Sequence, residues 1–230
     1  MGTMLELDNV KKSYHQGSVE VMALRGVNLA VETGEFTALC GPSGSGKTTA
    51  LNLIGALDRP TSGHVRLEGV DLGGLSRREL SRLRRDRIGF VFQAYNLLPV
   101  LTAYENAEIV MAVQGVPEAQ RKQRVMALLE QVGLKGLEHR RPTQLSGGQQ
   151  QRVAIARAIA ANPAVVLADE PTANVDSETA DRLLDLMEEL NRAHGVTFVF
   201  STHDPRVMER ARRIVRLVDG QVASDQRKAA

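Results

Sequence analysis

The stretch Gly41-Pro42-Ser43-Gly44-Ser45-Gly46-Lys47-Thr48-Thr49 limits what this chain can fold into more than any other. It satisfies the phosphate-binding pattern G-x-x-x-x-G-K-[ST] at every fixed position. The apolar run Phe36-Thr37-Ala38-Leu39-Cys40 before it reads as a buried parallel strand. From Thr49 to Leu57, Leu51, Ile54 and Leu57 fall at helical spacing. Strand, glycine loop and helix together predict an α/β domain built around this loop.

The chemistry follows from that geometry. Glycines at 41, 44 and 46 let the backbone curl until successive N–H groups face one hollow. The hollow sits at a helix N-terminus, where unpaired donors and the positive dipole end favour an anion. Lys47 adds a formal charge for the outer phosphates, and the Thr48 hydroxyl suits Mg²⁺. A bare strand-to-helix turn is the alternative, and the complete pattern in this context argues against it. The expected ligand is a nucleoside triphosphate.

Two further strand ends carry chemistry. Val165-Val166-Leu167-Ala168-Asp169-Glu170 places two carboxylates at the end of a buried strand, where open α/β sheets bind ligands. One acid there can hold the water shell of Mg²⁺, and a second can orient an attacking water. Val196 to Phe200 is another buried strand, ending at Ser201-Thr202-His203-Asp204. Asp176 or Ser177 caps the intervening helix, whose stripe is Leu183, Leu186, Met187 and Leu190, with Gly195 as its stop. Gln144-Leu145-Ser146-Gly147-Gly148-Gln149 opens an alanine-rich helix that Asn162-Pro163 ends. Its serine and two glycines form a second anion-binding terminus or an ordinary serine cap. The glycine pair favours the first, because it weakens the helix with no visible local return.

Leu5–Val10, Val27–Val31 and His64–Gly69 read as strands of an antiparallel apron. Tyr14, ahead of a polar loop at His15 to Ser18, reads by itself as a strand-end aromatic. Ser76 to Arg87 carries six arginines with no interleaved aromatics, a solvated helix face. A capping box at Thr102-Ala103-Tyr104-Glu105 opens a helix to about Gln114. Pro117 starts another, with Val125, Leu128, Leu129 and Val132 on one face. Residues 102 to about 161 are thus a helical insertion. A hairpin around Asp219-Gly220 pairs Ile214–Val218 with Gln221–Ala223, and Ser224 to Ala230 reads as a frayed tail. The expected layout is one domain over 4–225: an α/β core over 4–93 and 162–225, and a helical subdomain over 94–161.

Composition narrows the class. Twenty-nine basic residues against 27 acidic ones leave a net charge of +2, which gives no case for a nucleic-acid partner. No apolar run approaches the roughly 20 residues of a membrane helix. One cysteine suits a reducing compartment, and residues 1–7 carry no signal pattern. The expected protein is soluble and cytoplasmic, any membrane role requiring a partner. Met1-Gly2-Thr3 ahead of Met4 reads as non-native.

The phosphate loop (Walker A), Gln93, Leu145–Gln149, Val165–Glu170 (Walker B), Asp176 and His203 occur in an order and spacing that resembles the nucleotide-binding domains of ATP-binding cassette proteins. The match runs from Tyr14 to the closing hairpin, and Walker A with Leu-Ser-Gly-Gly-Gln is a very specific pairing. The resemblance implies a P-loop NTPase fold: a mostly parallel core sheet, an N-terminal antiparallel β subdomain and an inserted α-helical subdomain. It also implies ATP and Mg²⁺ as ligands.

Roles follow position by position from that likeness. Tyr14 resembles the aromatic that stacks on adenine, which reverses its isolated reading. Gly41, Ser43, Gly44, Ser45, Gly46, Lys47, Thr48 and Thr49 would hold phosphates, and Thr48, Gln93 and Asp169 would hold Mg²⁺ directly or through water. Glu170 would be the general base or water-orienting acid and His203 the switch histidine at the γ-phosphate; Lys47 and Gln93 complete the catalytic set. Ser146, Gly147, Gly148, Gln149 and Asp176 would act on nucleotide bound by a second copy, so that two chains sandwich two ATPs. Gln93 to Tyr104 resembles the loop that meets the coupling helix of an integral membrane permease, on the cytoplasmic face of the inner membrane. One departure is visible: Ala173-Asn174-Val175-Asp176 has valine where leucine is common, with little effect expected on Asp176.

Ala23–Gly26, Leu57-Asp58, Pro60–Gly63, Phe92–Leu98 and Leu101–Ala103 most resemble the branch serving lipoprotein release and macrolide export. The expected function is an ATPase subunit driving a separate permease, with lipoprotein, macrolide or peptide-like cargo. The alternatives are mechanotransmission to a periplasmic partner, as in cell division, and a soluble cassette protein. The absence of a second cassette or an inserted coiled coil disfavours the last.

Overall fold

A computed structural model describes residues 2–17 and 19–228. The chain opens with two long strands, β1 (Thr3–Gln16) and β2 (Val19–Glu32), paired antiparallel with several register shifts. Strand β1 therefore runs on past Tyr14 through His15 and Gln16, where a loop over His15 to Ser18 is expected; Gly17, with φ 63°, lies in the turn. Strand β3 (Phe36–Cys40) leads into the phosphate loop and helix α1 (Lys47–Ile54). Next come β4 (Ser62–Leu67) and β5 (Val70–Asp71), which complete a four-stranded sheet of order β2-β1-β4-β5. Helix α1 starts two residues earlier than its apolar spacing suggests and stops at Ile54. The chain then wraps through Ala56 at φ 54°, leaving Leu57 half-exposed.

Helix α2 (Arg77–Arg87) carries the arginines and a Ser76–Glu79 capping box, and strand β6 (Ile88–Val91) follows. Arg84 donates to the Ala56 carbonyl, Arg85 pairs with Asp86 and Arg87 with Glu68, while Arg77, Arg78 and Arg82 face solvent. Three helices form the insertion: α3 (Ala103–Val113) with its Thr102–Glu105 capping box, α4 (Glu118–Gln131) and α5 (Gly147–Ala160). Strand β7 (Val165–Asp169), helix α6 (Ser177–His194) and strand β8 (Thr197–Thr202) return to the core. Asp176 caps α6, its carboxylate accepting from the Thr179 amide. The chain ends with α7 (Pro205–Arg210), β9 (Arg213–Val218) and β10 (Gln221–Arg227).

The second sheet has the order β10-β9-β3-β8-β7-β6, parallel except for β10. Both faces are covered, as parallel strands require. Phe198, Phe200, Val166 and Ala168 face the core shared with α5 and α6, while Val199, Val165 and Leu167 face α1 and the antiparallel sheet. The expected fold class is the one found. Register aligns the carboxyl ends: Cys40 lies opposite Thr202, and Asp169 opposite Ser201. Three loops consequently open on one edge.

Two local readings need correction. Ser224–Arg227 is not frayed but paired to β9, and Asp225 forms a two-pronged ion pair with the buried Arg213. Charge rather than apolar alternation holds that strand, so periodicity misses it; Ala229 and Ala230 lie outside the described residues. Helix α7 was not anticipated, although Asp204-Pro205 is a cap followed by an N1 proline.

Candidate functional site

The loop after β3 turns back on itself through positive φ at Gly41 (147°), Gly44 (78°) and Gly46 (98°). A Cβ at Gly41 would collide with the Leu217 carbonyl, and one at Gly46 would lie 2.7 Å from the Ala23 carbonyl. These two glycines are therefore required by space as well as by φ. Helix α1 has no side-chain cap. Its first N–H groups are left for an anion. Lys47 is almost wholly buried and donates to the Gly41 and Pro42 carbonyls at 2.8 and 2.9 Å. Its ammonium is thus held over the hollow by the loop itself.

This loop walls a cleft of about 690 Å³. Tyr14, Val21, Met22 and Ala23 line it on one side, and Gln93, Glu170, Ala173 and His203 on the other. Glu170 sits at φ 45°, a left-handed conformation that is strained for a side chain of this size. Its amide donates to the Ser201 carbonyl at 2.9 Å, which locks the acid to the end of β8. The Glu170 carboxylate takes Oε2 to Thr202 Oγ1 at 3.1 Å and Oε1 to His203 Nδ1 at 2.6 Å. An acid presented on a strained turn and aimed by a hydroxyl and an imidazole is placed to orient water.

Three buried polar atoms near this edge have no partner: Ser45 Oγ, Asp169 Oδ1 and Ser201 Oγ. Burial pushes the Asp169 carboxyl up from its ordinary range, with Glu170 adding to the rise and Lys47, Thr48 and Ser201 opposing it. Thr48 and Gln93 are exposed at the cleft. Such leftover oxygens suit a small hard cation that keeps water and phosphate among its ligands. Among the described residues no three His, Cys, Asp or Glu cluster as an all-protein metal cage.

Ser146 to Gln149 and Asp176 do not line the cleft. Ser146 is the N-cap of α5, in a reciprocal box with Gln149. The glycine pair does have a local return, contrary to expectation. A Cβ at Gly148 would lie 2.5 Å from Thr179 Cγ2, and one at Gly147 would lie 2.8 Å from the Tyr95 hydroxyl. The start of α6 and the loop after Gln93 approach closely here, so a larger residue at either position would have to displace Thr179 or the Tyr95 hydroxyl. Asp176 is likewise engaged at home, with the Thr179 amide and hydroxyl holding its carboxyl below the usual range.

Sequence reasoning missed several residues that build the site. Asn174 Nδ2 donates to the Gln93 carbonyl at 2.8 Å, and Tyr95 Oη donates to the Asn174 carbonyl at 3.1 Å. Arg157 on α5 donates to the carbonyls of Tyr95 and Asn96, so the loop after Gln93 is bound to both neighbours. Thr172 Oγ1 donates to Asp204, and Gln151 Nε2 to the Pro171 carbonyl. Most of these pairs lie far apart in sequence and left no local signal. Thr202 was the exception, lying next to His203 at a strand end.

The chain belongs to the ABC transporter family, whose model matches residues 24–173. It is an ABC-type ATP hydrolase of the lipoprotein-release and macrolide-export branch. It is 54% identical to the lipoprotein-releasing system ATP-binding protein LolD of Anaeromyxobacter dehalogenans, over 96% of this chain and 93% of that one. It is 48% identical to the macrolide export ATP-binding/permease protein MacB of Syntrophobacter fumaroxidans, over 94% of this chain and 31% of that protein. Among solved structures, the dimeric ATP-binding cassette MJ0796 in a post-hydrolysis state with ADP and Pi superposes with a TM-score of 0.91. That match is 44% identical and covers 99% of this chain and 100% of the other.

Proposed function

We propose that the chain works as a two-copy ATP switch that drives a separate membrane permease. One observation carries this reading: Glu170, His203 and the phosphate loop share a cleft, while the Ser146 helix start, with the donors of a second anion site, lies off it. A single chain thus holds half of each site, and a second copy supplies the other half. The dimeric cassettes of MJ0796 support that arrangement.

In this reading Gly41 to Thr49 and Lys47 hold the phosphates, and Tyr14 takes the base. Thr48, Asp169 and Gln93 would hold Mg²⁺, which when bound draws charge from the phosphate oxygens. Glu170 orients the attacking water, and His203, already bonded to Glu170, meets the γ-phosphate. Ser146 to Gln149 and Asp176 close over the partner's nucleotide.

The permease would dock beside the loop 93–104. An apolar groove of about 400 Å³ lies there, lined by Leu57, Ile88, Phe90, Phe92, Val110 and Val113 and rimmed by Arg84, Arg85 and Arg157. Val100 and Leu98 stand exposed on the same loop. Among the described residues no helix is long and apolar enough to cross a membrane, and attachment to the cytoplasmic face of the inner membrane would come through that partner. The names of its LolD and MacB relatives support lipoprotein or macrolide cargo.

Mixing two inactive variants tests the composite site. Glu170→Gln disables hydrolysis at a chain's own phosphate loop, and Ser146→Arg disables the site of its partner. A mixed dimer retains one complete site, so combining the two should restore hydrolysis that neither shows alone. Failure to recover activity while mixed dimers form would contradict the two-copy reading.

A further inference from the structure

Tyr14 is gripped from behind by two side chains outside every nucleotide-binding motif in the chain. Its hydroxyl donates to Asp58 Oδ2 at 2.9 Å. Lys12, two residues earlier on the same face of β1, donates to Asp58 Oδ1 and to the Arg59 carbonyl, each at 2.8 Å. The same ammonium lies 4.8 Å from the centre of the Tyr14 ring. Asp58 is itself aimed by the Arg59 amide, 2.7 Å from Oδ1. It lies four residues past Ile54, the end of α1, its own amide reaching back to the Asn52 carbonyl at 3.3 Å. The bracket is thereby anchored to the helix whose other end forms the phosphate hollow.

We propose that Asp58 and Lys12 are positioning residues for the nucleotide base: they fix the Tyr14 ring plane, cover one face with the ammonium and leave the other for stacking. This rests on the reading of Tyr14 as the base contact. A tyrosine on an exposed hairpin would otherwise sample several rotamers, and stacking would have to bear the entropy of ordering it. One hydrogen bond to an acid that Lys12 and Arg59 hold in place, with a cation over the ring, removes that freedom beforehand. Because the Asp58 amide ties the turn after α1 back to the Asn52 carbonyl, the base platform is fastened to the helix whose other end forms the phosphate hollow. Burial alone would disfavour the Asp58 carboxylate, but bonds from Lys12, Arg59 and Tyr14 outweigh it and hold the group ionised below the usual range.

The test compares a ligand with a base against one without, by calorimetric titration of the full chain with MgADP and with Mg-pyrophosphate. Tyr14→Ala should weaken MgADP about tenfold or more and leave pyrophosphate unchanged. Asp58→Ala and Lys12→Met should each weaken MgADP about three- to fivefold, again sparing pyrophosphate. In a Tyr14→Ala background the added Asp58→Ala change should have no effect. Equal weakening of both ligands by both bracket variants would show a deformed α1 and overturn the proposal. Wild-type MgADP affinity in both bracket variants, with Tyr14→Ala impaired, would also overturn it and leave the stacking reading intact. Unchanged affinity in Tyr14→Ala would remove the stacking reading itself, and the bracket with it.

Discussion

His203 Nδ1 lies 2.6 Å from Glu170 Oε1, so the histidine ending one strand loop is hydrogen-bonded to the acid ending its neighbour's. The other carboxylate oxygen is taken by Thr202. Aligned strand ends and a strained φ at Glu170 make this possible. The acid is aimed by the sheet and not by chance contacts of a mobile loop.

That aim makes Glu170 the residue on which turnover should depend most. Glu170→Gln keeps the shape and the Thr202 bond but removes the carboxylate to which the proposed mechanism gives the water-orienting role. Hydrolysis should fall about 10²- to 10⁴-fold. ATP binding should survive, and size exclusion with Mg-ATP should show a dimer. A variant that still turns over ATP at near the normal rate would transfer the role elsewhere.

Ser146 does not line its own chain's cleft, so enlarging it should not disturb nucleotide binding within one chain. Ser146→Arg should keep MgADP affinity within about twofold and abolish hydrolysis. Loss of single-chain binding would mean the helix start acts in cis.

The raised carboxyl of Asp169 marks a site where stability is given up. Its folded value lies above the unfolded one, so the penalty is absent below the ordinary carboxylate value of about 3.9. It grows as pH rises toward the folded value and is constant beyond. Asp169→Asn should therefore raise Tm at neutral pH, with the gain vanishing below about pH 4. The same variant should lose the Mg²⁺ dependence of nucleotide binding. Melting curves at several pH values check the sign.

The reverse holds for Asp225. Its ion pair with Arg213 keeps the carboxyl below the usual range, so its stabilisation is present above the unfolded value and lost as pH falls through the folded one. Asp225→Ala should lose about 1–2 kcal/mol at pH 7, discounted because the side chain is partly exposed. That corresponds to a drop of about 3–6 °C in Tm, disappearing in strong acid.

Walker A, the acids at 169–170 and His203 were legible because each is a short motif attached to a strand or helix that its own neighbours specify. The capping boxes at Thr102 and the stop at Gly195 were legible for the same reason. What escaped depends on partners far along the chain. The room for Gly148 is set by Thr179, the orientation of Tyr14 by Asp58, and the last strand by Arg213. Strand β10 carries polar residues at most positions, so no apolar period betrays it. Its pairing is decided by charges that only the folded sheet brings together.

The closing hairpin touches the phosphate loop directly: Gly220 N donates to the Ser45 carbonyl at 3.2 Å, and the Leu217 carbonyl fills the space beside Gly41. Strand β3, which carries that loop, lies between β8 and β9. On a ribosome, residues 41–49 therefore emerge long before the segments that shape them. The nascent chain should bind ATP only once residues 213–220 have emerged and packed against that loop.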